Sequence, residues 1–369
     1  MALSKIPSAG FQDNVKFRNI LINGKMDISQ RGSSATGLGN GDSGYHTCDR
    51  WNFGESGSTS AEFTQSQVDD APAGQGFSKS LKMDCTTADS SPGASDLVFI
   101  AQKIEGQNLQ HLKKGGSFAE STTVSFWVKS SKTGTYIVNF YDNDNTRNIS
   151  KSYTISSADT WEKKIITFAG DTTGAFGNDA EESGILYFNL LAGSNFTSGT
   201  LQTSWGAYSA ADYAVGQVNL GDNTSNDWYI TGVQFETGTT ASDFEVLPID
   251  FNLDRCKRYF QKTYPLINSP GASTDDGMVF NRINGSYSNK PYPARFEKEL
   301  RTNSPTITIY SKTGSSGHAS DFGTGVSHSS NDAITTVYNI GSTGFGIVSG
   351  HGGDAGDSFA IHYTADAEL

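Results

Sequence analysis

Thr122-Thr-Val-Ser-Phe-Trp-Val-Lys129 alternates with a period of two: Val124, Phe126 and Val128 fall on one side, Thr123, Ser125 and Trp127 on the other. Successive side chains of an extended chain point to opposite faces, so this pattern predicts a strand with one buried face. The same alternation recurs outward from it, at 80–85, 96–102, 135–140, 162–168, 185–190 and 227–235, between stretches rich in Gly, Ser, Asn and Asp. A sheet with one apolar face must cover it with another layer, which here means a second antiparallel sheet. Irregular spacing and long loops favour a jelly roll over a regular propeller.

Composition agrees. The 369 residues include 41 Gly, 22 Phe and 15 Tyr but four Met, and 35% are hydrophobic, the profile of a turn-rich, aromatic-rich all-β chain. The expected architecture is a jelly-roll β-sandwich followed by a second, smaller β-sandwich-like domain, with one short connecting helix. The predicted divisions are an attachment lead over 1–25, the sandwich over 26–248, a helical connector over 249–265 and a C-terminal β domain over 266–369. Phe17 to Lys25 reads as a strand ending in an Asn-Gly turn. In the connector, Asp250 can cap a helix with Leu253, Cys256 and Tyr259/Phe260 on one face before Pro265 stops it. That stripe either packs on its own sandwich or forms a seam between subunits.

Charge excludes some partners. A net charge of −12 opposes phosphate backbones and anionic membranes, so neither nucleic acid nor membrane insertion is expected. Arg255, Lys257 and Arg258 form the tightest basic cluster and read as a solvated helix face. No signal peptide or membrane-length apolar run is visible. Cys48, Cys85 and Cys256 have neither disulfide-framework nor zinc spacing.

Phe17-Arg-Asn-Ile-Leu-Ile-Asn-Gly-Lys-Met-Asp-Ile-Ser-Gln-Arg31 followed by Asp49-Arg-Trp51 resembles the opening of a family of bacteriophage tail-fibre and minor virion proteins, common in phages of marine bacteria, whose members often begin as this chain does, with Met-Ala-Leu-Ser-Lys-Ile. Segments 102–107, 125–130, 160–162, 230–236, 256–262 and 362–369 follow in the order seen in that family. The resemblance implies a structural virion component, assembled in the host cytoplasm, with a jelly roll of the carbohydrate-binding-module and concanavalin A-like type. It implies other virion proteins as partners through the lead, and a homotrimer. It supplies no sugar-site motif.

Glycan binding needs exposed aromatic faces with Asp, Asn or Gln beside them. Trp205, Tyr208, Asp212 and Tyr213 gather in a stretch without strand period and are the candidate ligand residues. Trp127, Trp161 and Trp228 read as strand packing. Asp142-Asn-Asp-Asn145 alternates oxygen ligands, making Asp142 and Asp144 calcium candidates, although the Gly and Glu of a helix–loop–helix site are missing and a polar hairpin turn fits equally. No other cofactor is expected. His318, His328, His351 and His362 match no metal spacing. No nucleophile elbow, Walker or dinucleotide glycine signature is present, so no enzyme is expected. The expected function is host-surface glycan attachment by a tail or surface fibre. The alternatives are a purely architectural decoration or tail-assembly protein, and a polysaccharide depolymerase.

Overall fold

The computed structural model describes residues 17–282, 292–321, 333–349 and 358–369. The alternating segments form two antiparallel sheets. The first runs, in spatial order, Ser34–Leu38, Glu62–Val68, Ser80–Thr87, Asp227–Thr237, Thr122–Ser130, Glu162–Phe168. The second runs Gly206–Ala207, Arg147–Ile155, Gly134–Asp142, Glu182–Ala192, Leu97–Glu105, Asn52–Ser56, Gly44–Tyr45. Strand 227–237 lies between 80–87 and 122–130, and 182–192 between 134–142 and 97–105. These long-range insertions mark a jelly roll and distinguish it from a meander.

The quoted strand shows why. Val124, Phe126 and Val128 are fully buried, and Trp127 and Lys129 stand half-buried on the outer side. Between the sheets, rings meet in edge-on or tilted pairs: Phe126 with Phe188 at 5.1 Å, Phe140 with Phe235 at 4.9 Å, Phe53 with Phe63 at 6.2 Å. Each such pair adds ~0.5–1.5 kcal/mol beyond the area it buries. Trp228 lies at the centre of this core, while Trp161 is half-buried on the first sheet's outer face and donates its indole N–H to Asp70.

Residues 17–31 do not form the expected strand. Asn23 (φ 58°) and Met26 (φ 62°) take left-handed conformations that break an extended run. Residues 20–24 of the segment are hydrogen-bonded into the sandwich. Ile22 is paired by a side chain in place of a strand: its N–H donates to Gln102 Oε1 (2.7 Å) and its carbonyl accepts from Gln102 Nε2 (2.9 Å). Asn23 Nδ2 donates to the carbonyls of Ile28 and Asp49, and Trp51 Nε1 to the carbonyl of Asn23. The bulge between Thr231 and Gln234 is satisfied here too, as Val233 N donates to the Gly24 carbonyl. A Cβ at Gly24 would lie 2.1 Å from the Val233 carbonyl oxygen, so only glycine admits this approach.

The connector helix is shorter than expected. It spans Ile249–Lys257, starting after Pro248, and Phe260–Lys262 is already a strand paired with Thr364–Asp366. Ladder pairing thus claims Phe260, and Pro265 terminates nothing. Cys256 and Tyr259 pack on Ile22 and Ile28 of the sandwich's own N-terminal segment.

In the C-terminal unit Ser358–Asp366 is the central strand, with Phe260–Lys262 and Val279–Arg282 along one side and Thr306–Tyr310 and His318–Asp321 along the other. The sheet continues through Ala333–Gly341, Gly344–Ser349 and Tyr292–Arg295. Phe345 meets Tyr363 at 5.1 Å and Tyr292 meets Phe359 at 5.0 Å, so distant strands of one sheet face each other across a single core. His362 is buried beneath Tyr264, ring centroids 3.8 Å apart. Its Nε2 faces the Thr274 carbonyl at 3.1 Å and must donate, leaving Nδ1 to accept from the Thr263 hydroxyl at 3.0 Å.

Where the two units meet, the Arg50 guanidinium donates to Glu368 and, at 2.6 Å, to the Lys103 carbonyl, and lies 3.5 Å from the Tyr259 ring centroid. The side chains of Arg50 and Glu368 are 1% and 5% exposed. Arg31 pairs with Asp366 at 2.8 Å and Glu368 at 3.3 Å, and Arg258 grips Glu105 through two 2.8 Å bonds. Glu368→Gln leaves the Arg50 charge buried and uncompensated, and is expected to lower the stability measured by urea unfolding by ~3 kcal/mol or more.

Burial holds His362 below its ordinary 6.5, so the unfolded chain takes the proton first as pH falls. The stability this group contributes is complete above about pH 6.5 and declines below it. Urea midpoints at about pH 7.5 and about pH 5 should diverge less for His362→Gln than for the parent chain. Some divergence remains, because burial also lowers His46 and His111.

Candidate functional site

Residues 193–218 leave the sandwich after strand 182–192 and cross the outer face of the second sheet. The crossing is pinned at both ends: Gly193 N donates to the Asp96 carbonyl (2.7 Å), and Val218 N to that of Thr135 (3.0 Å). Beneath it, polar side chains take the outward positions that apolar residues hold on the core side. Asn139 Nδ2 donates to the Tyr213 carbonyl (2.8 Å) and to Ser150 Oγ (2.7 Å), and Asn189 Nδ2 to the Ile137 carbonyl (3.1 Å). Asn139 thus fixes the loop to the sheet, and Asn189 ties two strands beneath it.

Beside the loop the same face carries a shelf of aromatic rings. Phe99 and Tyr187 meet edge-on at 4.8 Å, Tyr187 and Tyr141 at 6.4 Å, and Tyr141 and Tyr208 at 5.7 Å. Phe99, Tyr141 and Tyr187 are half-buried, and Tyr208 is 36% exposed. A Cβ at Gly54 would fall 2.3 Å from the Phe99 ring, so glycine there lets the ring lie against the sheet. Lys103 and Glu182, paired at 2.8 Å, give this face charged groups on the same two strands as Phe99 and Tyr187. Burial raises the phenols of Tyr141, Tyr187 and Tyr208, keeping them neutral O–H donors at physiological pH. The arrangement offers ring faces and edges with hydroxyl donors beside them, which suits a sugar ring and its hydroxyls.

The candidate residues of the 205–213 stretch separate. Tyr208 joins the shelf. Tyr213 is buried, meeting Tyr208 at 5.5 Å and Tyr187 at 6.1 Å from below, and anchors the loop. Asp212 Oδ1 accepts from Thr200 N at 2.7 Å, closing a turn within the loop. Trp205 turns inward at the end of the sandwich, edge-on to Phe140 at 5.4 Å, with its indole N–H donated to the Ala169 carbonyl at 2.7 Å. Sequence reasoning passed over Phe99, Tyr141 and Tyr187. Their signal was an aromatic at the outward position of three adjacent strands, readable once the core-facing register of each is assigned.

The calcium candidates separate as well. Asp142 is fully buried and ion-paired with Lys114, whose ammonium is also 3.0 Å from Asp171 and donates to the carbonyls of Thr173 and Gly174 at 2.8 Å each. Phe176 and Trp205 place their ring centroids 5.2 and 5.3 Å from that nitrogen. A lysine charge therefore occupies the oxygen cage around Asp142, one of the two calcium candidates. Asp144 points elsewhere and accepts from Gly177 N at 2.8 Å. Burial raises Asp171, but hydrogen bonds from Arg147 and Lys114 outweigh it and leave the carboxyl below its ordinary value. Among the described residues no group of three or more His, Cys, Asp or Glu stands together for a metal. His318 pairs in register with Ile334 and His362 with Tyr310, and His328 and His351 lie outside the described residues. No helix among them is long and apolar enough to cross a membrane.

No family model matches the chain, and no curated protein matches it. Among solved structures, it is similar to the enzymatically active domain of tailspike protein 4 of bacteriophage CBA120, at 13% identity and TM-score 0.31 over 60% of this chain. That match spans 21% of the tailspike chain. It is also similar to the family 11 carbohydrate-binding module of a Clostridium thermocellum cellulase, at 9% identity and TM-score 0.28 over 57% of this chain and 99% of the module. A third is the xylanase 10B of the same organism, at 12% identity and TM-score 0.24 over 48% of this chain and 25% of the other. At such scores the reading of function rests on this chain's own residues.

Two measurements check the cage. Thermal unfolding should be unchanged by a chelator, because Lys114 supplies the cation. Lys114→Met strands Asp142 without its counter-charge and should cost ~3 kcal/mol or more.

Proposed function

We propose that the chain is a non-enzymatic, glycan-binding β-sandwich protein that engages its ligand on the aromatic shelf of the second sheet. The observation that carries this reading is the set Phe99, Tyr141, Tyr187 and Tyr208, four rings held on one outward face by adjacent strands and a pinned loop. Within that class the protein is read as a structural component of a bacteriophage virion, a tail or surface fibre that attaches to host-surface polysaccharide. Supporting the assignment is the ordered resemblance noted above, several of whose segments, 17–31, 49–51, 102–107, 256–262 and 362–369, supply the residues of the junction between the two units. The proposed assembly is a homotrimer bound to other virion proteins through its N-terminal lead, residues 1–16 of which lie outside the described residues. Three shallow sites in one assembly convert weak single-site affinity into avidity.

Binding of the recombinant protein to extracted host polysaccharide, read by calorimetry, tests the shelf. Tyr141→Ala and Tyr208→Ala should each weaken single-site affinity roughly two- to twelve-fold, the worth of one ring contact of ~0.5–1.5 kcal/mol. Trp205→Ala should instead lower stability and leave the affinity of the folded fraction intact. A folded parent chain that binds no glycan would sink the reading, and release of reducing sugar would replace it with a depolymerase.

A further inference from the structure

A second recess lies away from the shelf, where the N-terminal segment, the helix Ile249–Lys257 and the turn after strand Leu97–Glu105 come together. Its volume is about 440 Å³, enough for a monosaccharide, and its walls are of two kinds. Phe17 and Ile20 give one apolar side. Gln107, Asn108, His111 and Arg255 give the other. Phe17, 69% exposed, is stacked parallel on Phe251 at 5.2 Å, so the rim carries a supported aromatic face.

The charges here are not balanced among the described residues. Arg258 lines the recess but is committed to Glu105. Glu245, the carboxylate nearest in influence to Arg255, accepts from the backbone N–H groups of Arg18 and Asn19. Arg255 itself makes one side-chain hydrogen bond, a 3.5 Å contact to the Asn19 carbonyl, and no ion pair among the described residues. A guanidinium has five N–H donors, and a half-buried one with most of them unused is matched best by a carboxylate, which accepts two in parallel. The amides of Gln107 and Asn108 and the imidazole of His111 add neutral donors and acceptors of the kind that read sugar hydroxyls.

We propose that this recess is a binding site for a carboxylate-bearing sugar, a uronic-acid residue of an acidic polysaccharide, with Arg255 taking the carboxylate and Phe17 covering one face of the ring. The site is independent of the aromatic shelf and stands whether or not the shelf binds neutral glycan. It also assigns a purpose to one member of the basic cluster at 255–258 that a solvated helix face leaves unexplained.

The test is a titration of the full chain with glucuronate, galacturonate, glucose and acetate at constant ionic strength, followed by calorimetry or ligand-observed NMR. Saturable binding of a uronate, with glucose and acetate at least about ten-fold weaker, is expected. Arg255→Gln should weaken the uronate more than about ten-fold. Asn108→Trp, a surface change that fills the recess and leaves Arg255 in place, should abolish it, while Tyr141→Ala and Tyr208→Ala leave it unchanged. Three results would overturn the proposal: no uronate binding by the folded chain, equal binding of glucose or acetate, or undiminished binding in both recess variants. Loss of uronate binding in the shelf variants alone would move the site to the shelf and equally refute the recess.

Discussion

The pairing of Arg50 with Glu368 is the constraint on which the arrangement of the two units depends. Arg50 sits in the left-handed backbone region at φ 72°, a conformation that costs a non-glycine residue about 1–3 kcal/mol. It is held there because its side chain is committed on several sides, to Glu368, to the Lys103 carbonyl and to the face of Tyr259. Those three partners belong to the end of the chain, to the sandwich and to the segment following the helix. One residue therefore fixes the relative position of three parts of the sequence. Around it, Arg301 donates to the carbonyls of Ala367 and Glu368, and Gln30 bridges Asp49 and the Phe260 carbonyl. Burial raises Asp49 despite its hydrogen bonds from Gln30, so the junction contains both strong pairs and a costly carboxyl.

A core of aromatic side chains and a junction of charged ones divide the labour. The sandwich core is generic in its chemistry: Val, Ile, Leu and Phe at alternate positions pack wherever the register puts them. The junction is specific, because each guanidinium presents a rigid fork of donors and meets a particular set of acceptors here. Asp49-Arg-Trp51 and the terminal Asp366-Ala-Glu-Leu369 are polar fragments whose meaning lies in meeting each other.

Legibility in the sequence followed the range of the interactions. Strand 122–130 and its relatives were readable because period-two burial is a local property, and the two-sheet architecture followed from it. The stretch 17–25 misled because its apolar residues mimic a strand, while its backbone is set by Asn23, Gln102 and Val233, partners from distant segments. Phe260 misled because an apolar residue at helical spacing was already claimed by a ladder with Asp366. Asp142 looked like a metal ligand because composition shows oxygen atoms and not the lysine, 28 positions earlier, that comes to neutralise them. In the loop 205–213, Tyr213 anchors from beneath and Tyr208 meets Tyr141, while Phe99, Tyr141 and Tyr187 come from the strands it crosses, a neighbourhood that no local pattern shows.

The junction also decides how the molecule carries load. Residues 17–31 and 366–369 lie side by side, joined by Arg31 to Asp366 and Glu368. A pull applied between these two segments is taken first by these ion pairs and by the packing of Leu369 against Ile22 and Ile28. Force entering through the rings of the outer face follows another course, directly into strands 97–105, 134–142 and 182–192 and, from Tyr208, through the loop that Asn139 holds, where many parallel bonds share it. The sandwich is thus held internally by ladders of many parallel bonds, and to the C-terminal unit by the few ion pairs of Arg31, Arg50 and Arg258.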